Sequence, residues 1–139
     1  EDEVVEVSLE PVRAVADPDR LGQVLRNLFD NAARHAAGRI RVTLASSADG
    51  ARVTVDNDGA AVPEDQRAVV FERFVRLDDT RDRDSGGSGL GLAIAADLVR
   101  GHGGSIATSE TDDGWCRFEF VLPPTSAAAT DAQPTAFNR

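Results

Sequence analysis

Asn27 and Asn31 stand four residues apart in this 139-residue chain, so on a helix their carboxamides lie one above the other. Gln23, Asp30 and Arg34 extend the same polar stripe. Stacked amide oxygens with a guanidinium one turn further on suit a hard cation shared with phosphate oxygens, such as Mg²⁺. The competing reading is a solvated helix face, and the stripe alone does not separate the two.

A second segment, Ser85-Gly86-Gly87-Ser88-Gly89-Leu90-Gly91-Leu92, runs directly into an apolar helical pattern. Glycines let a backbone turn sharply and approach a ligand, and a helix N-terminus offers unpaired N–H groups to an anion. No Gly-Lys-Ser/Thr follows, so this is not a Walker A loop, and the βαβ context of a Rossmann turn is missing. A third segment, Val55-Asp56-Asn57-Asp58-Gly59, interrupts a strand pattern. Asp58 either caps a turn or, if buried, accepts a hydrogen bond from an exocyclic amine, a contact that separates adenine from guanine. A fourth, Phe71-Glu72-Arg73-Phe74-Val75-Arg76, sets two aromatics three apart, which reads as one helical face serving the core or docking. Arg76 is its best cation for a terminal phosphate.

The elements that must position these groups are legible in outline. Val5, Val7 and Leu9 alternate, and Val12 to Val15 is a short apolar run; both suit strands. Asp17-Pro18 reads as an N-cap followed by the first helical residue of a helix running to about Ala36. Leu21, Val24, Leu25, Leu28 and Ala32 form its apolar face. Arg39–Ala45 and Ala51–Val55 read as a hairpin. A short helix from Pro63-Glu64 carries Val69, Val70 and Phe71 inward. Asp78 to Ser88 has no apolar residue and reads as a lid, taken as 76–88. Leu90–Val99 is a helix ended by Gly101-His102-Gly103-Gly104, with His102 as a C-terminal cap. Strands at Ser105–Thr108 and Trp115–Leu122 close a domain of residues 1–124, and 125–139 reads as a disordered tail. The order predicts an α/β sandwich, with helices on one face of a mixed, mostly antiparallel sheet.

Composition narrows the function classes. A net charge of −9 argues against nucleic-acid binding. The single Cys116, read as a buried core thiol beside Trp115, excludes an internal disulfide framework and a multi-Cys zinc site. Asp112-Asp113-Gly114 reads as a turn. No apolar run reaches membrane-spanning length, which leaves the expectation of a soluble, cytoplasmic domain. The basic residues are all Arg and there is no Met, which points to a processed chain or a piece of a longer protein.

Taken in order, Asn27-Leu28-Phe29-Asp30-Asn31-Ala32, Asp58-Gly59, Phe71/Phe74 and Gly87-Ser88-Gly89-Leu90-Gly91-Leu92 resemble the N, G1, F and G2 boxes of the catalytic ATP-binding domain of bacterial sensor histidine kinases. The resemblance covers Val12 to about Leu122. It implies the Bergerat α/β sandwich shared with DNA gyrase, MutL and heat-shock chaperone ATPases, with ATP and Mg²⁺ as ligands. By that likeness Asn31 corresponds to the Mg²⁺ ligand and Asn27 to its helper. Arg34 and His35 stand at positions beside the phosphates and the nucleotide, and Asp58 with Gly59 at the adenine wall. Gly87, Ser88, Gly89, Leu90, Gly91 and Leu92 form the phosphate side, and Arg76 is the γ-phosphate contact.

The G1 box departs from the family pattern, since Ala60-Ala61 follow Gly59 where a second glycine is common. No phosphoacceptor His is present on a helical hairpin. The resemblance therefore implies transfer of the γ-phosphoryl group to a His on a dimerisation domain outside this chain, and a response regulator downstream. It also implies a monomeric isolated domain within a homodimeric, membrane-anchored whole. Phe71 and Phe74, if exposed, would offer the docking surface for that domain. Alternatives are an ATPase of the same fold, an anti-sigma-factor Ser kinase, or a nucleotide-free interaction module. Hydrolysing relatives carry Glu where this chain has Asn27, and a carboxamide takes no proton near neutral pH, which favours the kinase.

Overall fold

The computed structural model describes residues 4–9, 17–73 and 90–124. The elements are β1 (Val4–Leu9), α1 (Pro18–His35), β2 (Arg39–Ser47), β3 (Gly50–Asn57), 3-10 turns at Glu64–Gln66 and Val69–Phe71, α2 (Gly91–Gly101), β4 (Ser105–Glu110) and β5 (Cys116–Leu122). The expected strand at Val12 to Val15, the lid at 76–88 and the tail at 125–139 lie outside the described residues.

Helix α1 begins as its sequence dictates. Asp17 Oδ1 accepts from the N–H groups of Asp19 at 3.0 Å and Arg20 at 3.4 Å, and Pro18 occupies the first turn. Arg34 and His35 in the last turn complement the negative end of the helix. Val24, Leu28 and Ala32 are buried, with Leu21 and Leu25 packed at the margin.

The five-stranded sheet runs β1-β2-β3-β5-β4. Only β1 and β2 are parallel among these pairs; the other three pairings are antiparallel. Val53 and Val55 of β3, Phe118 and Phe120 of β5 and Ile40 of β2 share the face covered by the helices and form one core with Val24, Leu28, Ala96 and Val99. Each fully buried side chain of this size contributes about 1.5–3 kcal/mol. The expected two-layer arrangement is the observed one.

Two local expectations are corrected. The hairpin strands are longer than their apolar runs, because Asp56 and Asn57 stay in the ladder, with Asn57 opposite both Ile40 and Cys116. Pairing on both sides overrides the poor strand propensity of Asp and Asn. The short helix from Pro63 resolves instead into two separate 3-10 turns, neither with a side-chain cap. Val70 and Phe71 are buried, but Val69 is 36% exposed. Phe71 sets its edge against Phe118, 5.9 Å between centroids, so it belongs to the core and cannot offer a docking surface. Phe74 is outside the described residues.

Candidate functional site

The polar stripe on α1 is solvated in part and not at its two asparagines. Gln23, Asp30, Arg34 and His35 are exposed, whereas Asn27 is half-buried and Asn31 is 6% exposed. Asn27 Nδ2 donates to the carbonyl of Gly91 at 3.0 Å, tying the middle of α1 to the first turn of α2. That bond leaves Oδ1 of Asn27 as an available oxygen. Asn31, one turn on, has no hydrogen bond to any described residue. Its amide is not sealed in, unlike Thr54 Oγ1 and Asn57 Nδ2, so it stays open to a ligand.

Helix α2 starts at Gly91, after an N-cap, Leu90, whose side chain makes no cap bond. No described atom lies within 4 Å of where a Cβ on Gly91 would stand, so the backbone there is open to close approach. An anion would meet the positive end of the helix dipole at this point. Leu92 is half-buried against the core. Gly87, Ser88, Gly89 and Arg76 lie outside the described residues.

The turn after β3 is fastened to the other end of α1. Asp58 Oδ1 accepts from three consecutive backbone N–H groups, Ala37 at 2.8 Å, Gly38 at 3.0 Å and Arg39 at 3.1 Å. These bonds, Gly38 first and then Arg39 and Ala37, hold its carboxyl below the usual carboxylate range. Asp58 is half-buried rather than buried, and one of its oxygens is committed to the α1–β2 connection. Gly59 is packed so tightly that a Cβ would come 2.0 Å from the carbonyl oxygen of His35.

Sequence reasoning passed over Asn57. Its side chain is 0% exposed, its Oδ1 accepts from Gly59 N–H at 2.8 Å, and its Nδ2 has no partner. The signal was the alternation Val53, Val55, Asn57, which turns the amide toward the helices while Asp58 leaves the strand. Neighbouring Cys116 is buried as expected, and burial pushes its thiol up.

The two ends of this arrangement are about 12 Å apart along α1, from Asn27 to His35. It offers oxygen donors and a helix N-terminus at one end, and an amide with a carboxylate at the other. Among the described residues no cluster of three His, Cys, Asp or Glu could hold a metal. A hard cation here would take carboxamide and ligand oxygens, which the donors of Asn27 and Asn31 fit. No described helix is long and apolar enough to cross a membrane.

A sandwich with this order of motifs defines a class, and comparison supplies it. Residues 16–126 match the family described as histidine kinase-, DNA gyrase B-, and HSP90-like ATPase, and the chain belongs to that family. Within it, the chain is 39% identical over 116 residues to the sensor protein VanS of Enterococcus faecium, covering 82% of this chain and 30% of VanS. It is 38% identical over 107 residues to the sensor histidine kinase CpxA of Escherichia coli strain K12, covering 77% of this chain and 23% of CpxA. The structure of the mycobacterial sensor histidine kinase MprB superposes with a TM-score of 0.76 at 32% identity, over 89% of this chain and 85% of that one. The chain thus spans less than a third of the curated relatives it matches. The expected identity, an ATP-binding catalytic domain of sensor histidine kinase type, is borne out.

Proposed function

We propose that this chain binds Mg²⁺-ATP along α1 and donates the γ-phosphoryl group to a histidine on a dimerisation domain outside it. The observation that carries the reading is Asn31, a 6% exposed residue whose amide bonds no described residue and stays open one turn from the Asn27–Gly91 bond. Asn31 and Oδ1 of Asn27 would hold Mg²⁺, which when bound neutralises phosphate charge. The N-terminus of α2, with Gly87, Ser88, Gly89, Leu90, Gly91 and Leu92, receives the phosphates, and Arg34, His35 and Arg76 supply cationic or polar contacts. Asp58, with Gly59 beside it, meets the base through its second oxygen. In this reading Asn27 orients and does not accept a proton, so water is not activated.

The wider setting follows the likeness to sensor proteins. We assign the whole protein to a homodimer that passes the phosphoryl group to a response regulator, with this domain on the cytoplasmic side of a membrane anchor.

The test is catalysis by parts. The chain alone should show negligible self-phosphorylation and very slow ATP turnover. Mixed with the separately expressed dimerisation hairpin of its own kinase, it should phosphorylate that hairpin's His. Such transfer rests on positioning and charge stabilisation, so Arg76→Ala should slow it more than it weakens ATP binding. Brisk hydrolysis by the isolated chain, free of contaminating ATPase, would move the assignment to an ATPase.

A further inference from the structure

Asp56 is 0% exposed, yet nothing in the proposed reaction uses it. It points to the face of the sheet opposite Asn57, away from the core. In the ladder it sits directly between Arg41 of β2 and Arg117 of β5. Arg117 holds it with a fork, Nε to Oδ1 at 2.8 Å and Nη2 to Oδ2 at 2.9 Å, and Arg41 Nε adds a bond to Oδ2 at 3.1 Å. Arg41 is itself held, by Asp113 in the β4–β5 connection at 3.2 Å and by the face of Trp115, 4.1 Å from the ring centroid.

We infer that Asp56 is a positioning residue for the nucleotide site, clamped by Arg41 and Arg117 so that the end of β3 keeps Asp58 aimed at the base. The inference rests on the reading that a nucleotide base meets that turn. β3 ends in Asp and Asn, which do not hold a strand by propensity. A bidentate guanidinium fixes both distance and direction, and the two arginines grip from the strands on either side. Without the carboxylate, two guanidiniums would flank an empty place one row before Asn57, and their repulsion would part the strands there. The apolar core lies on the other face, and the phosphate end lies at α2, so the disturbance stays at the base end.

The experiment titrates the 139-residue chain with a non-hydrolysable Mg²⁺-ATP analogue and with Mg²⁺-tripolyphosphate, which has the phosphates and no base. In Asp56→Ala the analogue should bind about five- to tenfold more weakly while tripolyphosphate changes less than about twofold. Arg117→Lys, which keeps the charge and loses the fork, should fall between wild type and Asp56→Ala. Unchanged analogue affinity in folded Asp56→Ala, or equal weakening of both ligands, would overturn the inference. If Asp56→Ala does not fold, Arg117→Lys and Arg41→Lys decide it by the same ratio. Wild type that binds tripolyphosphate but gains nothing from the base would overturn the inference, leaving the phosphate site standing. Wild type that binds neither ligand would overturn both.

Discussion

Asn31 is a residue whose loss should weaken function and spare stability. Its amide bonds no described residue, so Asn31→Ala breaks no hydrogen bond among them and loses only a little packing. The melting temperature should change little, while affinity for ATP in Mg²⁺ falls substantially in calorimetry. A mutant that melts earlier and binds ATP as well as wild type would return Asn31 to the core. Asp58 should behave differently. Asp58→Ala frees three backbone N–H groups and should lower the melting temperature by several degrees, and Asp58→Asn should reduce the preference for ATP over GTP in competition. The i, i+4 spacing made Asn27 and Asn31 legible from sequence. Burial of Asn31 was not, because it depends on where α2 crosses α1. The double use of Asp58 was half legible: a turn cap and a base contact look alike until the three N–H groups are in place.

At the scale of elements, α1 was written out in full by Asp17-Pro18 at one end and the Leu28/Ala32 spacing inside. The 3-10 turns were not, since one-turn segments leave no periodicity to read. Long-range ties were also invisible. His102 caps α2 as expected, with Nδ1 2.8 Å from the Leu98 carbonyl. Its Nε2 also accepts from the N–H of Asp17 at 3.1 Å, so one ring joins the end of α2 to the start of α1. His102→Ala should cost about 1–2 kcal/mol in denaturant unfolding, for two modest hydrogen bonds. The β4–β5 connection predicts a pH effect. Arg41, then Thr111, bring Asp113 down to about 2 from an ordinary carboxylate value near ~3.9. Its contribution is therefore complete above about pH 4 and lost as pH falls toward 2. Asp113→Asn should lower stability at neutral pH and flatten the acid-unfolding profile in that range. An identical profile would show the pair to be solvent-screened.

For the molecule as a whole, helices on one face of a mixed sheet were legible from the order of the elements. Strand order was not, because β5 inserts between β3 and β4 and no local signal records it. The arrangement hangs both ends of the proposed site on α1, so a ligand spanning them should stiffen the entire sandwich. At a hundredfold excess over Kd, binding adds about 2.7 kcal/mol, which for a domain of this size is roughly 10 °C in melting temperature. Mg²⁺-ATP analogue should produce a shift of that order, and chelating the metal should abolish most of it. The acidic net charge of −9 sharpens the dependence on metal, since the free tetra-anion approaches a like-charged surface.

Two glycines of similar standing in the sequence have opposite prospects under mutation. Every missense codon at position 59 introduces a Cβ, and each would collide with the backbone of His35 at 2.0 Å, a neighbour with no rotamer to retreat into. At Gly91 the same atom meets no described neighbour within 4 Å. In a saturation library sorted for soluble expression, position 59 should be emptied of variants and position 91 filled. Sorted again for nucleotide binding, position 91 should empty too. The order of depletion separates a glycine kept for the protein's own backbone from one kept for its ligand.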